Sequence, residues 1–228
     1  MRRLLSAAAV ALAVLLCARI GGATEPVDLI LVLAVDSSGS VDSKRFALQR
    51  NGYAAALTNP EVLASIRSGR NGAIGLIYFE WSGPQLHNGL VGWTRIDGEA
   101  SAATVAAVLL SAPRTIFGGG TSISGAIDHS RALLQTSPFA APRRVVDISG
   151  DGRNNRGRSL EAARTEALAE GLIINGLPIL GVEYGLDRYY EDEVIGGPGS
   201  FIVAAEGFED FGRAILKKLL RDLVSEAR

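Results

Sequence analysis

Five oxygen-bearing side chains stand at three places in the chain. Asp36, Ser38 and Ser40 lie in the run Asp36-Ser37-Ser38-Gly39-Ser40, Thr121 follows Gly118-Gly119-Gly120, and Asp151 sits between Gly150 and Gly152. Together they supply carboxylates and hydroxyls, with no thiol and no imidazole. A hard set of this kind selects Mg2+, Mn2+ or Ca2+ over zinc or copper. Gly39 lets the backbone curl so that Ser38 and Ser40 can point to one centre. Hydroxyl ligands are neutral, so a bound cation stays undercharged and can take water or a partner's carboxylate in a sixth position. That is a chemistry of binding rather than of turnover. The competing reading is that Asp36 and Asp151 only cap turns and helices.

These residues must be brought together by the elements before and after them. Val27 to Val35 is an apolar run without polar alternation, which reads as a strand buried on both faces. A helix is predicted from Asp42 to Leu57, stopped by Asn59-Pro60. Ala73–Phe79 reads as the next strand, with Leu90–Ile96 as its hairpin partner across the loop 80–89. Helices are expected over Asp97–Leu110 and Ser122–Leu134, a strand over Arg143–Ser149 and a helix over Leu160–Glu170. Leu172–Val182 follows as a strand that Pro178 can shorten, then a long polar loop over 183–199. Phe201–Ala204 reads as a short last strand and Phe208–Val224 as an amphipathic closing helix. Such alternation implies an α/β fold, a mostly parallel sheet with helices on both faces, and right-handed crossovers. Ligands in sheets of this kind bind beyond the carboxyl ends of the strands. All three oxygen-bearing loops are expected there.

The Asp-x-Ser-x-Ser motif at 36–40, the threonine after the glycine run and the Asp-Gly pair at 151–152 resemble the metal-ion-dependent adhesion site of von Willebrand factor A (vWA) domains. The resemblance extends from Val27 to the C-terminus and is nearest to small exported bacterial proteins of this type. It implies a doubly wound, mostly parallel sheet of about six strands with one antiparallel edge strand, here Leu90–Ile96. It also implies Mg2+, with Mn2+ or Ca2+ as alternatives, and a protein partner offering an acidic side chain. Ser38, Ser40 and Thr121 match direct ligands; Asp36 and Asp151 match carboxylates acting directly or through water. One departure is visible. Members often carry Thr-Asp-Gly at the second aspartate, whereas this chain reads Gly150-Asp151-Gly152, so a flanking hydroxyl is lost.

Other polar residues invite a role. Glu80, Trp81 and His87 surround the hairpin loop, Arg153 follows the second aspartate, and Tyr184 opens the 183–199 loop; these form a candidate partner-binding set. For Glu80 and Trp81 the alternative is packing beneath the loop, and for His87 a solvated position. Tyr189, Tyr190, Glu191, Asp192 and Glu193 belong either to partner choice or to an ordinary solvated loop. Arg156 and Arg158 either steer an acidic partner or balance local carboxylates. Asp147, inside an apolar strand, needs a partner such as Arg131 if it does not tune the metal site.

Arg2 and Arg3, the apolar run Leu4–Leu16 and the small residues Gly21-Gly22-Ala23 have the layout of a secretory signal peptide over 1–23, leaving a single domain over 24–228. A membrane anchor is the alternative, but Arg19 interrupts the run before the roughly 20 residues a span needs. Cys17 is the sole cysteine and would leave with the signal; a lipidated Cys17 would want a smaller neighbour than Leu16. Cleavage removes three of the 23 basic residues and none of the 24 acidic ones. The expected product is mildly acidic, exported to a periplasm or secreted, not membrane-inserted, and not a nucleic-acid binder. An enzyme is not expected. There is no H-E-x-x-H, no P-loop lysine and no G-x-S-x-G elbow, and Ser38 and Ser40 have no histidine at predictable reach. A metal-free structural domain and a metal-assisted hydrolase are the remaining alternatives.

Overall fold

The structure, a computed structural model, describes residues 24–224; the expected signal peptide 1–23, with Cys17, lies outside the described residues, as do residues 225–228. In chain order the elements are β1 (Glu25–Pro26), β2 (Leu29–Asp36), α1 (Ser43–Leu57), α2 (Pro60–Arg67), β3 (Ile74–Trp81), β4 (His87–Ile96) and α3 (Glu99–Ser111). Then come α4 (Ile123–Gln135), β5 (Phe139–Ala140), β6 (Arg144–Gly150), α5 (Leu160–Ala169), β7 (Ile173–Pro178), α6 (Leu186–Tyr189) and α7 (Phe211–Val224).

The main sheet runs β4-β3-β2-β6-β7. Its pairs are parallel except β3–β4, which places the antiparallel strand at the edge as expected. Every residue of β2 is buried. Leu29, Leu31, Leu33 and Val35 face one core, where Tyr53, Leu57, Phe211 and Ile215 from α1 and α7 meet them. Ile30, Val32 and Ala34 face the other, against Ile127 of α4 and Ala163 of α5. A central strand packed by helices on both faces has no side chain to spare for solvent, which is why its sequence shows no polar alternation.

The sheet has five strands rather than about six, with β1 and β5 forming a separate two-stranded pair. The expected strand at 201–204 makes only isolated bridges, Gly176 with Ile202 and Ile179 with Ala205. The amide of Phe201 is taken by the Asn175 side chain at 3.0 Å, and a continuous ladder does not form there. Two further corrections are local. Asn59-Pro60 does end α1, yet it also begins α2: Asn59 accepts from the Glu61 amide at 2.8 Å, and Pro60 occupies the first helical position, where its missing N–H costs nothing. The 183–199 stretch is not a plain solvated loop. It contains α6 and a π-helical turn, Tyr190–Val194, whose Tyr190 and Val194 are fully buried.

Two buried ion networks tie helices to the sheet. Arg50 of α1 donates to Glu80 Oε1 at 2.8 Å and to the carbonyls of Leu109 and Ala112, so it braces the end of β3 and the end of α3 together. Lys218 of α7 donates to Asp147 and, at 3.2 Å, to Asp222; Asp222 accepts from Asn175 at 2.7 Å. Arg131, expected as a partner for Asp147, instead sits on the surface with Asp128, Glu166 and Glu170, because it lies on the outward side of α4.

Candidate metal centre

Parallel pairing of β2 with β6 brings the loops after both strands to the same sheet edge. There Asp36 ends β2, and Ser37 to Ser40 turn away under two constraints. Asp36 Oδ1 accepts from the Ser38 amide at 2.7 Å, and Gln49 of α1 donates to the Asp36 carbonyl at 3.1 Å. The hydroxyls of Ser38 and Ser40 lie 3.2 Å apart, and Ser40 donates to Asp151 Oδ1 at 2.6 Å. One loop thus supplies a carboxylate and two hydroxyls to a centre that Asp151 borders from the other strand.

Thr121 reaches this centre from the start of α4. Gly119 and Gly120 have φ of 111° and 80°, a left-handed turn that a residue with a side chain enters only at a cost. The turn is clamped by Ser82, which donates to the carbonyls of Gly118 and Gly120, and by Asn155, which accepts from the Thr121 amide at 3.0 Å. The Thr121 carbonyl in turn accepts from the amides of Asn155 and Arg156. Thr121 Oγ1 borders Gly152, 3.6 Å from the point where a Cβ there would stand. Asp36, Ser38, Ser40 and Asp151 therefore share one centre, and Thr121 borders it at Gly152. Asp36, Ser38, Thr121 and Asp151 are buried and Ser40 is exposed at the rim.

The electrostatics are those of a site lacking positive charge. Asp36 Oδ2 and Asp151 Oδ2 are both buried and, among the described residues, have no hydrogen-bond partner. Burial, reinforced by the charge of Asp151, raises the Asp36 carboxyl to about 7; burial also raises Asp151. Arg45 is the near cation, 4.0 Å from Asp151 Oδ2 and half turned to solvent. Two desolvated carboxylates with unused lone pairs, flanked by three hydroxyls, fit a small hard cation. Among the described residues no group of three or more His, Cys, Asp or Glu could hold a metal, so any site here rests on hydroxyls as much as on carboxylates.

The residues expected to face a partner separate into two groups. Glu80 and Trp81 are fully buried, the first by its ion pair with Arg50 and the second within the core on the α4 side, so neither presents a surface. His87 is not a solvated loop residue. It stacks on His129 at 4.3 Å, edge-on to Phe79, and burial together with His129 pushes it down to about 4. Arg153 and Tyr184 do border solvent beside the site: Arg153 pairs with Glu183 at 2.9 Å, and Tyr184 is 99% exposed. They line a cleft of about 890 Å³ together with Glu183, Asp187, Arg188 and Tyr189. Arg158 is held by Asp128 and Glu166 on the helical surface, which leaves it no steering role.

Several positioning residues carried no recognisable signal in the sequence. Arg114 donates to the carbonyls of Ser37 and Ser38, at 3.2 and 3.4 Å, and Asn154 accepts from the Ser124 amide at 2.9 Å. Asn154 and Asn155, separated from Asp151-Gly152 by Arg153, are of a residue type that caps loops.

Mixed sheet, helices on both faces and the antiparallel edge strand give this chain a von Willebrand factor A-like fold. The chain belongs to the family described as "Protein of unknown function (DUF1194)", whose pattern covers residues 26–227. None of the curated proteins compared matches it. Among solved structures it is similar to proximal thread matrix protein 1 of the mussel byssus, in a form with a zinc-occupied adhesion-site motif. That match has 15% identity and a TM-score of 0.62, over 86% of this chain and 45% of that one. It is similar also to the PilB minor pilin of Streptococcus sanguinis, with 14% identity and a TM-score of 0.63 over 86% and 62% of the two chains. A von Willebrand factor type A protein of Catenulispora acidiphila gives 13% and 0.57 over 88% and 44%. The chain spans less than two thirds of each of these proteins, and the likeness is one of fold.

A pH dependence follows from the buried pair. The folded-state value of Asp36, about 7, lies above its ordinary 3.8, so folding without metal favours the protonated form. The contribution of Asp36 to metal-free stability is therefore present at low pH and lost as pH rises through 7. A cation must displace that proton. Apparent Mg2+ affinity is expected to fall by up to about tenfold per unit below pH 7. Titration at pH 5.5, 6.5 and 7.5 checks this, and a flat profile contradicts it.

Proposed function

We propose that this protein is an exported binding module that captures an acidic group of a partner through one divalent cation, Mg2+ by preference. Asp36, Ser38, Ser40, Thr121 and Asp151 hold the cation. The carrying observation is the pair of buried carboxylate oxygens, Asp36 Oδ2 and Asp151 Oδ2, which among the described residues have no hydrogen-bond partner, beside the hydroxyls of Ser38 and Ser40. Burying two neighbouring carboxylates with Arg45, half turned to solvent, as the near cation is costly, and a hard cation offsets that cost. Neutral hydroxyls leave the ion electrophilic enough to accept a carboxylate from outside. Arg153, Tyr184 and the adjoining cleft form the surface beside it.

The chain's own hydroxyls support binding rather than hydrolysis. Ser38 bonds to Ser40 and Ser40 to Asp151, and both histidines are engaged in the stack against Phe79, so neither serine has an imidazole base. Export is inferred from the signal-like layout of residues 1–23.

The test is calorimetric titration of metal-free protein with Mg2+, Mn2+ and Ca2+ alongside thermal melts. One saturable site with a raised melting temperature is the expected result, since a ligand of the native state alone stabilises it. Absence of heat and of any melting shift with all three ions overturns the metal-dependent reading in favour of a metal-free structural domain.

A further inference from the structure

Position 150 has no side chain, and the space beside it is filled from 40 residues further along. A Cβ on Gly150 would stand 2.9 Å from the hydroxyl of Tyr190 and 3.0 Å from Asp36 Oδ2. Tyr190 belongs to the π-helical turn after α6, and its ring passes over Gly176 of β7, where a Cβ would meet ring carbon Cδ1 at 2.7 Å. Glycines on two neighbouring strands thus open a channel that admits one phenol ring. The ring is fully buried and ends beside the first aspartate of the centre. Its hydroxyl has no hydrogen-bond partner among the described residues, and neither has Asp36 Oδ2. A buried donor and a buried acceptor, each unsatisfied and both bordering one point, are too costly to leave so in a working site.

We propose that Tyr190 is a positioning residue of the metal centre, its hydroxyl orienting Asp36, directly or through one water, when the cation is bound. This rests on the metal-binding reading above. The hydroxyl that position 150 does not carry is delivered by Tyr190 instead, and Gly150 is glycine because Tyr190 occupies its place. Tyr190 does not touch the cation; it acts by fixing the carboxylate that does. Groups in that role typically change metal affinity 10- to 100-fold.

The experiment compares wild type, Tyr190→Phe, Gly150→Ser and the double variant, reading Mg2+ affinity by calorimetry and metal-free melting in parallel. Tyr190→Phe removes one oxygen and keeps the ring that fills the channel. It is expected to lose about tenfold in affinity with no loss of metal-free melting temperature. Gly150→Ser alone is expected to be destabilised by the clash at 2.9 Å. Placed on Tyr190→Phe, the same serine returns a hydroxyl to the vacated spot and is expected to recover most of the affinity, a coupling that independent sites do not show. Ultraviolet difference spectra add a readout that a purely structural role would not move: Mg2+ is expected to perturb tyrosine absorbance in wild type and not in Tyr190→Phe. An affinity change under twofold in Tyr190→Phe overturns the inference and leaves metal binding standing. A loss of affinity matched by a loss of folding, with no rescue, also overturns it. Failure of wild type to bind any of the three ions overturns the metal reading and this inference together.

Discussion

Asp36→Asn is expected to abolish detectable Mg2+ binding while raising the melting temperature of the metal-free protein at pH 8. The opposite signs are the point. The amide keeps the oxygen that accepts from the Ser38 amide at 2.7 Å, so the loop turn survives. What disappears is a charge that burial and Asp151 both oppose. Removing an unpaired buried charge relieves the fold, whereas removing it from the ligand set takes away half of the anionic charge that neutralises a dication. Substitutions beyond the ligands cost 10- to 100-fold in affinity, so a ligand carboxylate is expected to cost more than about 100-fold. Asp151→Asn is expected to behave alike in binding, with a smaller gain in melting because Arg45 already lies 4.0 Å from its free oxygen. Calorimetry and thermal melts on the same samples check both. If Asp36→Asn binds Mg2+ within threefold of wild type, or melts lower than wild type without metal, the carboxylate is structural and the site reading fails.

Lys218→Ala is expected to destabilise the domain by about 3–5 kcal/mol, the range for removing one partner of a buried charge pair. Lys218, Asp147 and Asp222 are all at most 1% exposed. Burial and the nearby Asp222 push the Asp147 carboxyl upward, and the Lys218 ammonium opposes that rise. Without it, two carboxyl groups face each other in the core, and among the described residues Asn175 remains as the side-chain donor to Asp222. At a few °C per kcal/mol for a domain of this size, the melting temperature is expected to drop by about 10 °C. Protonation cures the defect, so the variant is expected to regain part of its loss as pH falls from 8 to 5. Urea unfolding at the two pH values measures it. Pairing Lys218→Met with Asp147→Leu and Asp222→Leu is expected to restore most of the stability, since an apolar replacement of a buried ion network is often neutral. A cost under 1 kcal/mol for Lys218→Ala would mean that water reaches the network.

Much of this molecule was legible from residue types and spacing. Two-sided burial of β2 follows from an unbroken Leu-Ile-Val run, the starts of α1 and α4 lie near Asp42 and Ser122 as expected, and Pro178 ends β7. The candidate ligand residues were legible for the same reason. Asp36, Ser38 and Ser40 lie within five residues of one turn, Thr121 follows its own glycine turn, and Asp151 ends its strand; only the meeting of three strand-edge loops had to be inferred. Local steric and hydrogen-bonding preferences act over a few residues, and a sequence states them directly.

Tertiary packing alone decided which polar residues are inside. For Glu80 and Trp81, just before a loop, residue type left open a place at the rim or packing beneath it, and Arg50 and the α4-side core enclose them. Asp147 had a carboxylate's need for a partner in plain view, while the choice of Lys218 over Arg131 depended on how α7 and α4 are rotated against the sheet. Tyr190 was one aromatic in an acidic stretch until the chain folded it over Gly176 to reach Gly150 and Asp36. Burial and long-range pairing are set by which faces meet, a property of the whole arrangement of helices on the sheet, and no window of sequence contains it.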